Sequence, residues 1–204
     1  MPPPNHRSVQ HIMGVQGGVP AASAALHTLL TSPDAPVPHI GDALHCLHLL
    51  CEGQPQNTAV FIDTDGWGKV KAALLRYPRD MCVVGPALSL VASMYWVTGP
   101  TSPEPLLLVS NAVAMAARQG AALLPIVQSG SAALSSMARA IAARHAALVA
   151  AGSSRHHAAV DSPQQVQGAV ALLVTKGLPA CLDVLALAAK HVSQRACFQG
   201  VVHF

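Results

Sequence analysis

The sequence predicts an all-α chain built from repeated helical units, and three observations carry that prediction. Alanine fills 36 of the 204 positions, and it is the residue that gives up no side-chain entropy in a helix. An apolar face of helical period recurs four times along the chain. The joints between these faces hold glycine and proline, and no alternating strand-and-helix pattern accompanies them.

In chain order, residues 1–20 come first. They are rich in Pro, Gly and Gln, with one arginine and no apolar run of the kind a secretory signal needs. A flexible or partner-docked tail is expected there, with the repeat domain over 21–204. Four segments then begin alike: Ala43-Leu44-His45-Cys46, Ala87-Leu88-Ser89-Leu90, Ala133-Leu134-Ser135-Ser136 and Cys181-Leu182-Asp183-Val184. Their starts lie 44, 46 and 48 residues apart.

At about 100° per residue, offsets 0, 3, 4, 7 and 8 share one helical face. They read Ala43, Cys46, Leu47, Leu50, Cys51 in the first segment and Ala87, Leu90, Val91, Met94, Tyr95 in the second. The third gives Ala133, Ser136, Met137, Ala140, Ile141, and the fourth Cys181, Val184, Leu185, Ala188, Ala189. Only Ser136 is not apolar, so each helix is expected to bury this face. Offsets 2, 5 and 9 point away from it and are mixed in character.

The joints repeat as well. Gly53-Gln54-Pro55 follows the first marked helix, then Asn57, Phe61 and Gly66-Trp67, then the apolar-periodic run 70–75. This pattern implies a helix ending at glycine, a short helical turn, a second glycine and another amphipathic helix. After the third marked helix, residues 145–149 precede Gly152; after the fourth, residues 194–198 precede Gly200. The stretch 152–168, rich in Ser, His and Gln, reads as an inserted loop before the fourth repeat. Ser162-Pro163-Gln164-Gln165 at its end reads as an N-cap, a first-turn proline and a capping box. The segment 81–103 lacks any Lys, Arg, Asp or Glu, but Gly85-Pro86 is expected to confine its helix to 87–97. Eleven residues rise about 16 Å, half of a bilayer core.

On the recurring third helices and the Asn57, Phe61, Gly66-Trp67 passage, the chain resembles the armadillo/HEAT family of helical repeats. The resemblance implies a right-handed armadillo-like α-solenoid of about four repeats over 21–204, the last one cut short at Phe204. Such repeats bury their apolar faces only against stacked neighbours. The apolar end Val201-Val202-His203-Phe204 therefore implies packing against a partner or a longer array.

Composition narrows the function. A chain that is 51% apolar and 10% charged can bury a core, which excludes intrinsic disorder. Collagen-like classes fail because the 15 glycines follow no triplet period. No Lys/Arg run exceeds two and aromatics are 3%, so nucleic-acid binding lacks both an electrostatic stripe and a stacking platform. Five irregularly spaced cysteines fit a reducing compartment.

Candidate chemistry is sparse. Residues 59–66, an apolar run ending in Asp63-Thr64-Asp65-Gly66, resemble the first motif of haloacid-dehalogenase-like phosphatases. That resemblance implies Asp63 as phosphoryl acceptor, Asp65 as acid/base and a bridging magnesium ion. The later acids and lysine of that family have no counterparts at suitable positions here. The alternative expectation makes Asp63 and Asp65 helix caps and Gly66 a breaker. His45 and His48, with Glu52 near them, have the spacing of metal ligands on one helix face, but Cys51 points to the buried side. No metal, cofactor or catalytic residue is assigned. Cys46, Cys51 and Cys181 occupy core offsets.

Function is then expected on the surface. Third helices line the inner groove in the armadillo family, and its peptide-gripping members carry Trp and Asn four residues apart there. By alignment of helix ends those positions hold His45, Ser89, Ser135 and Asp183, and Leu49, Ser93, Arg139 and Leu187, so the ladder of the basic-peptide carriers is missing. The remaining outward groups, His45, His48, Glu52, Trp96, Arg139 and Lys190, are the candidate partner-binding residues, with Trp96 as the aromatic anchor. The expected function is a non-catalytic scaffold or adaptor, a structural subunit of a larger protein assembly. No nucleic acid, membrane insertion or small-molecule substrate is expected. The resemblance implies a cytoplasmic setting, with cytoskeletal and ciliary assemblies foremost. A phosphatase and an organelle-membrane complex subunit are the two alternatives.

Overall fold

The computed structural model describes residues 6–97, 104–119 and 124–151, and residue 171 besides. Among the described residues the chain is all-helical and holds no strand. In order come α1 (His6–Val15), α2 (Gly18–Thr31), α3 (Val37–Cys51) and α4 (Pro55–Asp63), followed by α5 (Gly66–Arg76), α6 (Met81–Val97), α7 (Glu104–Gln119) and α8 (Leu124–Ala151). The expected fourth marked helix and the inserted loop at 152–168 lie outside the described residues.

The helices pack in rows. Helix α3 packs on α6, and α6 on α8; α2 packs on α5, and α5 on α7. Helix α1 meets α4 where Asn57 Nδ2 donates to Gln10 O at 3.2 Å. The row α3–α6–α8 runs in one direction. Gly41 abuts Cys82 near the starts of α3 and α6, while Glu52 and Trp96 share a groove at their ends. Ser89 bonds Ser129 and Trp96 lies under Arg139, which orders α6 and α8 the same way.

Helix α6 lies at the centre of the described helices. Its buried residues, among them Val83, Val84, Ala87, Leu90, Val91 and Met94, cover about 160° of its circumference at 3.6 residues per turn. Neighbours on several sides require so broad an apolar arc. Leu26, Ile40, Leu44, Leu47, Phe61, Leu88, Leu106 and Met137 complete a continuous core, each contributing about 1.5–3 kcal/mol on leaving water.

Several expectations are corrected at this level. Helix α6 does not start after Pro86 but at Met81. Asp80 caps it, its Oδ1 accepting from Cys82 N at 3.1 Å, and burial of Val83 and Val84 holds the first turn in place. Pro86 then costs one backbone bond, the one its missing N–H would have made to Cys82 O. Cys46 is exposed, not in the core. The buried face of α3 centres on Ile40, Leu44, Leu47 and Cys51, and Cys46 lies about 120° from its middle. Residues 145–149 form no separate helix: α8 runs unbroken over 28 residues, since no glycine or proline occurs between 131 and 151 to end it.

The joints follow their residues. Gly53 takes a left-handed φ of 66° just past the end of α3, as a helix-terminating glycine does. Asp65 is also left-handed, at φ 57°, and its Oδ1 accepts from Gly68 N at 3.2 Å as the N-cap of α5. Gly66 has no room for a side chain, because a Cβ there would lie 2.6 Å from Phe61 O. The stretch read as a tail, 1–20, contains α1 and the first turn of α2. Gln10 Nε2 donates to Leu49 O of α3.

Candidate functional site

A groove of about 440 Å³ opens along the α3–α6–α8 row. Small residues make its floor: Ser89, Ala92 and Ser93 from α6, and Ser129, Ala132 and Ser136 from α8. Their hydroxyls are largely spent on the protein. Ser89 Oγ contacts Gly85 O at 3.2 Å and Ser129 Oγ at 2.9 Å, and Ser93 Oγ donates to Ser89 O at 3.3 Å. The Ser89–Ser129 bond ties α6 to α8, so the two helices hold their register where the groove opens. One wall carries His48 and Glu52 from the last turn of α3 and Gly53-Gln54-Pro55 leading into α4; the other end carries Trp96 and Val97.

Trp96 is 64% exposed, the most exposed aromatic of the core helices. The Arg139 guanidinium sits over its ring, 4.6 Å from the centroid, within the range of cation–π attraction. The pair joins α6 to α8 at the groove mouth. It also fixes the guanidinium, which has no ion-pair partner among the described residues. Tyr95, one residue earlier, faces inward against Trp67, ring centroids 6.3 Å apart. Burial, with Glu104 adding to it, raises the Tyr95 phenol above its ordinary range.

His48 is half-buried, and its Nδ1 is enclosed with no hydrogen-bond partner among the described residues. Burial lowers its pKa; the Glu52 carboxylate opposes this and His45 adds to it. The imidazole therefore stays neutral at neutral pH. The His45 ring lies 6.3 Å from that of His48 and is tilted to it by 41°.

Of the six candidate binding residues, His48, Glu52 and Trp96 line the groove, His45 stands beside His48 and Arg139 stacks on Trp96. Lys190 lies outside the described residues. Two contributors escaped the sequence reading. The α4 first turn supplies Pro55 and Thr58 to the wall, signalled only by the sharp turn at Gly53. Ser129 reaches the floor from a part of α8 that precedes the recurring segment.

The phosphatase motif finds no matching scaffold. Residues 58–62 lie inside α4, Asp63 is its last residue and the Asp65 carboxylate caps α5. The strand from which that family's first aspartate projects is not formed here. Among the described residues, no three His, Cys, Asp or Glu side chains gather as metal ligands. No described helix is long and apolar enough to cross a membrane. No family model matches the sequence, and no curated protein or solved structure shows significant similarity to it.

Proposed function

We propose that the chain is an armadillo-like solenoid that serves as a non-catalytic scaffold or adaptor within a larger protein assembly. The observation that carries this reading is the parallel row α3–α6–α8. Three helices of equivalent pattern lie side by side, with Glu52 and Trp96 lining one groove and Arg139 stacked on Trp96. Repeat stacking generates such extended surfaces. The row α2–α5–α7 behind it supports a layered unit of two or three helices per repeat. Its right-handed course and a fourth repeat belong to the same proposal. Low charge, 10% of residues, and the exposed apolar groups of α1 (Val9, Ile12 and Met13) suit a subunit held among neighbours. The resemblance favours a cytoskeletal assembly as the setting.

The test is affinity purification of the tagged full chain followed by mass spectrometry, with Trp96→Ala alongside. Stoichiometric partners should be depleted from the variant while its helical circular dichroism stays unchanged. An unchanged partner set removes the groove from the interface and with it this reading.

A further inference from the structure

Three Ser-Pro pairs occur in the sequence, at 32–33, 102–103 and 162–163, and the first alone lies among the described residues. Such a pair ahead of a helix ordinarily serves as an N-cap with a first-turn proline. Ser32 has no such duty: it follows the last residue of α2, and Pro36 is the N-cap of α3. Its backbone is extended, at φ −73° and ψ 128°, as the proline after it requires. The linker 32–36 is nonhelical, and Pro33, Asp34 and Pro36 in it are exposed. The neighbouring hydroxyls are spent, Thr28 Oγ1 donating to Ala24 O at 3.1 Å and Thr31 Oγ1 to His27 O at 2.9 Å. Ser32 Oγ makes no hydrogen bond among the described residues. Beside it stands Arg76, the last residue of α5. Its Nη1 donates to Leu30 O at 2.5 Å and its Nη2 to Ser32 O at 3.3 Å, while the guanidinium lies 5.3 Å from the centre of the Tyr77 ring. It has no carboxylate partner among the described residues. A guanidinium holds five donors in a rigid fork, so two carbonyls leave most of the fork open. An unpaired fork beside an unbonded hydroxyl on an extended linker is the arrangement that receives a phosphoserine.

We propose that Ser32 is a phosphorylation site for a proline-directed serine kinase, with Arg76 as the receptor of the phosphate within the same chain. The γ-phosphoryl group of ATP passes to Ser32 Oγ. A P–O bond forms there as the bond to the β-phosphate oxygen breaks, ADP leaves with that electron pair, and the hydroxyl proton goes to the kinase's base. Rotation about χ1 of Ser32 turns the phosphate toward the guanidinium, which already touches the carbonyl of that residue. A phosphate carries about −1.5 to −2 charge at pH 7, so it draws the guanidinium more strongly than the carbonyl dipoles of α2 do. Arg76 then shifts from Leu30 O to the phosphate, and the tie between α5 and the end of α2 comes under the control of a kinase. None of Leu30, Ser32 and Arg76 lines the groove, so the site stands independently of the adaptor reading.

The test treats the folded full chain, carrying Ser102→Ala and Ser162→Ala, with Mg-ATP and a panel of purified proline-directed kinases. Peptide mass spectrometry should place a phosphate on Ser32, and Ser32→Ala should abolish it. Phosphorus NMR then follows the titration of that phosphate, whose second proton ordinarily leaves near pH ~6. Asp34 and the carbonyl end of α2 push the titration up, and Arg76 pulls it down. A folded chain that titrates about half a pH unit or more below the same phosphoprotein in urea therefore reports the guanidinium. Arg76→Gln should return the titration to the unfolded value or above it. Comparing folded with unfolded parent needs no variant, so the reading survives if Arg76→Gln weakens α5. No phosphate on Ser32 from any kinase of the panel overturns the site. A folded titration at or above the unfolded one, or one that stays low in folded Arg76→Gln, overturns Arg76 as the receptor.

Discussion

Gly41→Ala separates two opposing effects by sign. In an isolated helix the change is favourable by about 0.8–1 kcal/mol. In this fold the new Cβ would lie 2.5 Å from Cys82 O and 3.0 Å from Cys82 C, where ordinary contact begins at 3.4 Å. The obstructing atoms are backbone and cannot swing aside as a side chain does. Helices α3 and α6 must part by about 0.9 Å, a gap that forfeits a quarter to a half of the dispersion energy of each contact across it. Leu44, Leu47, Val83 and Leu90, all fully buried, lie on these two helices. Overpacking of this kind costs about 1–3 kcal/mol. Because backbone must move, the upper part of that range applies, and the net loss is about 1–2 kcal/mol. Urea unfolding of the full chain should show a lower midpoint with an unchanged slope, and the melting temperature should fall by about 2–8 °C. A variant as stable as the parent, or more stable by the helix-propensity amount, refutes the backbone contact between α3 and α6.

Three further outcomes follow from individual groups. Asp65→Ala should lose about 1–2 kcal/mol, since it removes the α5 cap and with it the short polar side chain that makes φ 57° tolerable; Asp65→Asn, which caps and tolerates that φ, should stay within about 0.5 kcal/mol in the same urea titration. Burial pushes the Cys51 thiol up to about 11, so at pH 8 about one molecule in a thousand carries the thiolate. Peptide-resolved iodoacetamide labelling should modify the exposed Cys46 and Cys82 well before Cys51, and equal rates would contradict the packing of α3. His48 has a folded pKa below the ordinary 6.5, so below that pH the unfolded chain takes up a proton that the folded chain refuses. Stability therefore falls as pH drops through 6.5, and His48→Gln should flatten that slope relative to the parent; identical slopes would show that His48 is not desolvated.

The helical character and the buried face of α6 are legible in the sequence, and the reason is periodicity. In α6 all five residues at the expected buried offsets are buried: Ala87, Leu90, Val91, Met94 and Tyr95. In α8, Ser136 breaks the apolar rule yet is buried with Ala133, Met137 and Ile141, because position on the face governs burial more than residue type. In α3, Leu47, Leu50 and Cys51 are buried as expected, but the face is turned by about 60° toward Ile40 and Leu44, which exposes Cys46. The full extent of α6 was not legible, since Pro86 reads as a breaker until the cap at Asp80 and the burial of Val83 and Val84 are known. Helix α1 was likewise hidden. What anchors it is Asn57, whose Nδ2 reaches Gln10 O and Leu50 O across 47 and 7 residues, and such contacts leave no local pattern. In the site, the outward residues were readable one by one. The stacking of Arg139 on Trp96 was not, because it depends on the spacing between two layers.

The groove owes its volume to what its floor lacks. Helices α3, α6 and α8 are in close contact elsewhere along the row, down to the Gly41–Cys82 approach, so the space at their ends is not a failure to pack. It exists because six floor positions hold serine or alanine where the same helices elsewhere carry Leu, Val or Met. Leucine at those positions would gain about 25 cal/mol for each Å² of apolar surface it buried. The chain forgoes that gain, and beside the opening it leaves Trp96 64% exposed. Stability alone favours neither choice. Both make sense together if the groove is covered in the assembled state: the small floor lets another chain approach closely, and the indole then loses its water to that chain. Filling the groove and burying the tryptophan would stabilise the isolated fold, so both features are costs to it that a covering chain would offset.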